Sequence, residues 1–284
     1  MTEKLGFGCA SLSSMKNSGS VNRLLHTAYN LGIFHFDTAP LYGQGFSEKL
    51  VGSFIKNKRD KITVTTKFGL GNYPISKIPP SIALPLNYYR KKLKGQLSMP
   101  QVQQSKTEIG IDGNETISYT LPVKRVSKAE IEISLLSSLK RLNTEYIDYY
   151  LLHENLPFNI EESALEYLLN MKQKGNILEL GIGSNIQMIE SLGTELSNPW
   201  QVLQYEYIPD QFNKLLEKHS DKIHIVHSTL KHCKNIHIND VPPENRAGYL
   251  LAECARKNIL GKVLFSTRNI SRLEKNLSSF HKYY

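Results

Sequence analysis

Apolar and polar positions along this chain alternate between two textures. Short, nearly continuous apolar runs are separated by longer stretches in which apolar residues recur every three or four positions. The first texture suits strands buried on both faces, the second amphipathic helices. On that reading the strands are Leu5–Ala10, Phe34–Thr38, Ile62–Phe68, Ile147–His153, Ile177–Ser184, Trp200–Tyr207, Ile223–Ser228 and Lys262–Thr267. Helices are expected at Val21–Leu31, Ser47–Asn57, Ser127–Leu142, Ile160–Lys174, Met188–Leu196, Phe212–His219, Ala247–Lys257 and Ser271–Phe280. The helix at Ser127 opens with a Ser-x-x-Glu capping box ending at Glu130. Eight strands, each followed by a helix, predict a parallel sheet closed into an α/β (β/α)8 TIM barrel, a single domain over 1–284. An open doubly wound sheet is the rival. It fits less well, because Gly6-Phe7-Gly8 and Gly181-Ile182-Gly183 both lack the third glycine of a dinucleotide fingerprint.

Residues 71–126 break the repeat. They carry Pro74, Pro79, Pro80 and Pro85, a basic patch (Arg90, Lys91, Lys92, Lys94) and a predicted hairpin, Thr107–Thr120, turning at Asp112-Gly113-Asn114. A solvated basic helix is the expected setting of Tyr88, Tyr89 and Arg90. Because the insertion leaves the C-terminal end of the third strand, it is expected to rise over the barrel mouth as a lid.

Composition narrows the function classes. The net charge is +9, yet no basic stripe with interleaved aromatics occurs outside the insertion, so nucleic acid is not an expected partner. The apolar runs are too short for a membrane span. The N-terminus, Met1-Thr2-Glu3-Lys4, has no signal-peptide core. The three cysteines (Cys9, Cys233, Cys254) form no Cys-x-x-Cys pair, which points to a reducing cytoplasm rather than a disulfide framework or zinc knuckle.

In barrels of this kind chemistry collects at the C-terminal strand ends. Strand two ends in Asp37, with Pro40 breaking the chain and Tyr42 just beyond; strand three ends in Lys67, and strand four in His153. Neighbouring strands lie about 4.8 Å apart, so these four side chains can converge. A free phenol, with a pKa of about 10, is a weak acid for a developing alkoxide. A lysine about 4 Å away would favour the phenolate by up to roughly 4 kcal/mol at an effective dielectric near 20, or about three pKa units. Asp37 can hold that lysine, and His153 can hydrogen-bond a substrate oxygen. Singly, each residue has an ordinary structural reading as turn cap, packing group, surface charge or core histidine. Together on three neighbouring strand ends they predict acid–base chemistry. One histidine and one carboxylate do not make a metal site.

These residues sit in motifs that resemble the aldo-keto reductase superfamily. The matching segments are Phe36-Asp37-Thr38-Ala39-Pro40-Leu41-Tyr42-Gly43 with Ser47-Glu48, Thr66-Lys67-Phe68-Gly69, Ser138-Leu139-Lys140-Arg141-Leu142, Ile147–His153, Gly181-Ile182-Gly183-Ser184-Asn185 and Gln204. The resemblance implies metal-free, nicotinamide-dependent interconversion of a small-molecule carbonyl and alcohol. Tyr42 would be general acid in reduction, Lys67 and Asp37 would tune it, and His153 would orient the carbonyl. It further implies a cofactor cradle: Ser184, Asn185 and Gln204 at the carboxamide, with Gly8, His227 and Ser228 also binding the cofactor. Ser266, Thr267, Arg268, Arg272 and Asn276 would grip the adenosine half. Two arginines beside a helix N-terminus suit a 2′-phosphate, which favours NADP(H) without excluding NAD(H).

The sequence departs from the family pattern in three places. His227 stands where an aromatic residue, most often Tyr, stacks on the nicotinamide. Lys231–Pro243 replaces the usual Pro- and Gly-rich pyrophosphate loop. No N-terminal hairpin precedes strand one. The leading expectation is an NADPH-dependent aldehyde or ketone reductase. A sugar (aldose-type) dehydrogenase running the same site backwards remains open, as Gly45-Phe46-Ser47-Glu48 resembles that branch. So does a non-catalytic NADP(H)-binding sensor or accessory subunit.

Overall fold

Hydrogen bonding closes eight parallel strands on themselves in sequence order, with the last paired to the first. They are β1 (Leu5–Gly8), β2 (His35–Asp37), β3 (Thr63–Phe68), β4 (Ile147–His153), β5 (Ile177–Gly183), β6 (Trp200–Glu206), β7 (Ile223–His227) and β8 (Lys262–Phe265). The computed structural model describes residues 2–70, 78–93, 125–196, 198–234 and 241–284. The outer helices are α1 (Ser18–Asn30), α2 (Phe46–Ile55), α3 (Pro80–Leu93), α4 (Lys128–Leu142), α5 (Glu162–Gln173), α6 (Ile186–Ser191), α7 (Pro209–Lys218), α8 (Arg246–Lys257) and α9 (Ile270–Tyr283). No helix among the described residues is long and apolar enough to cross a membrane.

Local signals set many of the boundaries. The Ser127 side chain accepts the Glu130 N–H while the Glu130 carboxylate accepts the Ser127 N–H, so α4 starts at a complete capping box. It stops at Asn143, which takes the left-handed conformation (φ 52°). Asn17, Asn185 and Asn269 cap α1, α6 and α9. The expected helix Met188–Leu196 is instead split: α6 ends at Ser191 and a 3-10 turn, Gly193–Leu196, follows.

The insertion holds a helix that contains Tyr88, Tyr89 and Arg90, where a basic helix was expected. Pro80 starts α3 with the dihedral a first turn needs, and Pro85 lies inside it. Pro85 cannot donate to the preceding turn, and Ala83 and Leu84 just before it are buried. Here α3 packs on α1, α2 and the 3-10 turn Leu12–Ser14 beyond β1. The predicted hairpin Thr107–Thr120 lies outside the described residues.

The core has two shells. The larger one fills the space between strands and helices, with Leu24, Val51, Ile131, Leu168, Phe212 and Leu251 among its fully or almost fully buried members. The smaller one plugs the barrel itself, formed by Leu151, Val202, Ile225 and Leu264 with Tyr149 and Ile223 packed against it. Gly181 makes room for this plug: a Cβ there would lie 2.7 Å from Leu151 Cδ2 and 2.3 Å from the Val202 carbonyl. Above the plug, at the C-terminal strand ends, the inward side chains turn polar.

Candidate active site

β2, β3 and β4 are consecutive neighbours in the barrel, so their C-terminal residues are delivered side by side. Tyr42 follows β2 on a tight turn in which Gly43, Gln44 and Gly45 all adopt left-handed backbone (φ 62°, 57° and 82°). Two of the three are glycine because that region is costly for other residues. A hydroxyl chain fixes the turn to the barrel: Thr38 Oγ1 donates to Ser47 Oγ (2.8 Å), which donates to the Cys9 carbonyl (3.0 Å). Below it, fully buried Glu48 accepts from Thr66 Oγ1 (2.7 Å) and pairs with Arg141 (2.6 Å). The Ser47-Glu48 motif is therefore scaffolding for Tyr42 and Lys67.

The Lys67 ammonium sits 2.9 Å from both oxygens of Asp37 and 3.0 Å from the Thr38 carbonyl, and it hydrogen-bonds Tyr42. Gln204, on the far side of the barrel, donates from Nε2 to Asp37 Oδ2 (2.6 Å). The His153 ring stands perpendicular to that of Tyr42 with centroids 6.5 Å apart. A cavity of about 470 Å³ opens above this cluster.

Electrostatics correct one expectation. The Tyr42 phenol is not acidified: removal from water raises its pKa above 10.0, with Asp37 pushing the same way, and this outweighs the lowering by Lys67. Burial pulls the Lys67 pKa down, but Asp37 and Tyr42 more than offset it, so the ammonium stays charged. Burial, then the Lys67 charge, lowers His153 to about 3, so its imidazole is neutral. His227 is lowered to about 4, chiefly by burial.

Of the residues singled out in the sequence, Asp37, Tyr42, Lys67, His153, Gly8, Ser184, Gln204, His227, Ser228 and Ser266 line this one cavity. Asn185, Thr267, Arg268, Arg272 and Asn276 do not. Asn185 uses Oδ1 to accept the Met188 N–H at the start of α6 (2.9 Å). Arg268 and Arg272 are exposed at the N-terminal end of α9, where Arg268 donates to Ser14 Oγ (3.1 Å). Sequence reasoning missed Glu154, Thr229 and Lys231, which also line the cavity. Glu154 directly follows His153, and that adjacency was the available signal.

The sequence pattern described as the Aldo/keto reductase family matches residues 4–237. The uncharacterized oxidoreductase YqkF of Bacillus subtilis (strain 168) is 29% identical over 221 residues, 76% of this chain and 57% of that protein. D-threo-aldose 1-dehydrogenase of Pseudomonas sp is 26% identical over 192 residues, 64% of this chain and 50% of that protein. The chain thus spans about half the length of the curated relatives it matches. Among solved structures, the holo form of aldo-keto reductase AKR11C1 from Bacillus halodurans superposes with a TM-score of 0.64 at 22% identity, covering 98% of this chain and 86% of that one. An aldo-keto reductase from Klebsiella pneumoniae in complex with NADPH gives 0.64 at 16% identity, covering 98% and 85%. At such identities the likeness is one of fold.

Proposed function

Given that this chain belongs to the aldo-keto reductase family, we propose that it reduces an aldehyde or ketone to an alcohol with NADPH. The observation that carries this reading is the convergence of Tyr42, Lys67, Asp37 and His153 on one cavity.

The residues present fit the nicotinamide end of a dinucleotide. A space of about 470 Å³ lies within the range of small-molecule sites. Gly8 and Gly183 leave its wall free of side chains, Ser184 and Gln204 supply hydrogen-bonding groups, and the His227 ring offers a stacking face. The cofactor would supply hydride when bound. Arg268, Arg272 and the N-terminal end of α9 would hold a 2′-phosphate, which is why NADPH is preferred over NADH.

The chain's own groups account for the proton. His153, neutral, has one N–H to direct at the carbonyl oxygen and so set its angle. Tyr42 donates its phenolic proton to that oxygen. The phenolate left behind lies against the Lys67 ammonium, which Asp37, itself held by Gln204, and the Thr38 carbonyl keep in place. The oxidative direction reverses these steps. The aldose dehydrogenase relative supports testing it, so a substrate panel should be run both ways. We read the chain as one barrel domain over 1–284; of the expected lid, 71–77 and 94–124 lie outside the described residues, and the described α3 packs on the turn beyond β1. The test is NADPH oxidation across a carbonyl panel by wild type and Tyr42→Phe. Equal rates would remove Tyr42 as the acid, and cofactor binding without turnover of any carbonyl would favour the sensor reading.

A further inference from the structure

One carboxyl in the cavity has no task in the reaction above. Glu154 follows His153 at the end of β4 with a left-handed backbone (φ 46°), an unfavourable region for a residue with a side chain. Its N–H donates to the Gly183 carbonyl (2.8 Å). Its Oε2 accepts from Ser184 Oγ (3.1 Å), and its carboxyl also accepts the Asn185 backbone N–H. The carboxyl is therefore moored by two of the three residues that the family resemblance places at the carboxamide, Ser184 and Asn185.

That mooring changes what the corner between β4 and β5 offers a ligand. A hydroxyl has one proton, and Ser184 has two acceptors in reach, the Glu154 carboxylate and the Met188 sulfur (3.1 Å); the carboxylate is the stronger. Ser184 thus faces the cavity as an acceptor. Gln204 spends Nε2 on Asp37 and so keeps Oε1 as an acceptor, while Asn185, whose Oδ1 accepts the Met188 N–H, does not line the cavity. Acceptors are in surplus here, so the corner calls for N–H donors. A primary carboxamide brings two, whereas a carboxylate or phosphate brings none.

We infer that Glu154 accepts an N–H of the nicotinamide carboxamide and so orients the cofactor's reactive ring; this rests on the dinucleotide reading above. The test is calorimetric titration of NADP+ and of its 3-acetylpyridine analogue, which keeps the carbonyl but has no N–H, into wild type, Glu154→Gln and Glu154→Ala. Removing a charged acceptor should weaken NADP+ binding about tenfold in Glu154→Ala. Glu154→Gln, which keeps one acceptor oxygen, should fall between. All three proteins should bind the acetylpyridine analogue alike, which also reports that the site is folded. Unchanged NADP+ affinity in Glu154→Ala, or equal loss for both dinucleotides, overturns the assignment alone. Failure of wild type to bind either one overturns the dinucleotide reading with it.

Discussion

Replacing Lys67 by methionine separates what the central ion pair does for stability from what it does for chemistry. Its ammonium and the Asp37 carboxylate are 2% and 6% exposed, and two 2.9 Å contacts join them. In Lys67→Met the carboxylate keeps only the 2.6 Å hydrogen bond from Gln204 among its side-chain partners. Leaving one member of a buried pair uncompensated costs about 3–5 kcal/mol. For 284 residues the unfolding entropy is about 0.6 kcal/mol/K, so the melting temperature should fall by about 5–8 °C. The double variant Asp37→Asn, Lys67→Met removes both charges and should recover most of that loss, since neutral replacement of a buried pair is often tolerated. Carbonyl reduction should stay depressed about 10²–10⁴-fold in both proteins, because the phenolate has lost its cation. Thermal melts followed by circular dichroism, with NADPH oxidation on the same samples, read both quantities. A single variant that melts with wild type, or a double variant that reduces carbonyls at the wild-type rate, refutes the reasoning.

Three further outcomes follow from the same geometry. With its phenol raised above 10.0, Tyr42 keeps its proton through the neutral range, so reduction at saturating NADPH should be level from about pH 6 to 9; a decline centred near neutrality would show an acidified phenol. His35, 1% exposed and lowered to about 3 by burial, is neutral in the fold but takes a proton near 6.5 when unfolded. Its stability contribution is intact above about pH 6.5 and is lost as pH falls toward 3, by up to about 1.4 kcal/mol per pH unit. Urea unfolding should show a shallower acid loss for His35→Gln, and identical slopes would contradict this. Gly52 in α2 lies so close to the end of α4 that a Cβ would sit 2.5 Å from the Arg141 carbonyl. Gly52→Ala, which in an open helix would add about 1 kcal/mol, should instead lower the melting temperature through overpacking; a rise would refute the close approach.

What was legible in the sequence is what local chemistry or burial pattern encodes. The bounds of β4 were read to the residue because a parallel strand buried on both faces is an apolar run, here ended by His153. The capping box of α4 was readable because its two partners are three residues apart. The four acid–base groups were found through strand ends, a rule of architecture that needs no contact information. What escaped depends on the folded surroundings. A basic helix was expected around Tyr88, Tyr89 and Arg90, but nothing near Pro85 announces that it starts at Pro80 or that Leu84 is buried. Gln204 donates to Asp37 across 167 positions of sequence, so its hold on the ion pair appears only once the barrel closes. Met188–Leu196 reads as one helix, but α6 stops at Ser191, and Gly193, with a left-handed φ of 51°, opens a 3-10 turn instead.

The sign of the Tyr42 shift was misjudged for a related reason, and it changes how the proposed chemistry works. Sequence places a cation near the phenol but is silent about how much water the fold removes, and removal of water is the larger effect. Lys67 therefore makes the buried phenol more acidic than burial alone would leave it, but not more acidic than a phenol in water. Its contribution is differential: small while the phenol is neutral, large once the proton has left and a phenolate faces the ammonium in a poorly hydrated cavity. Asp37 raises the phenol's pKa as a bare charge, yet it is also what keeps Lys67 ionised and in position. The pair thus trades some ground-state acidity for a fixed cation where negative charge develops. On this account Lys67→Arg, which keeps the charge but not the compact ammonium held between Asp37, Thr38 and Tyr42, should lose turnover far more than it loses cofactor affinity. Equal losses in both, measured by single-turnover reduction and by NADP+ titration, would mean that the lysine serves binding rather than the proton.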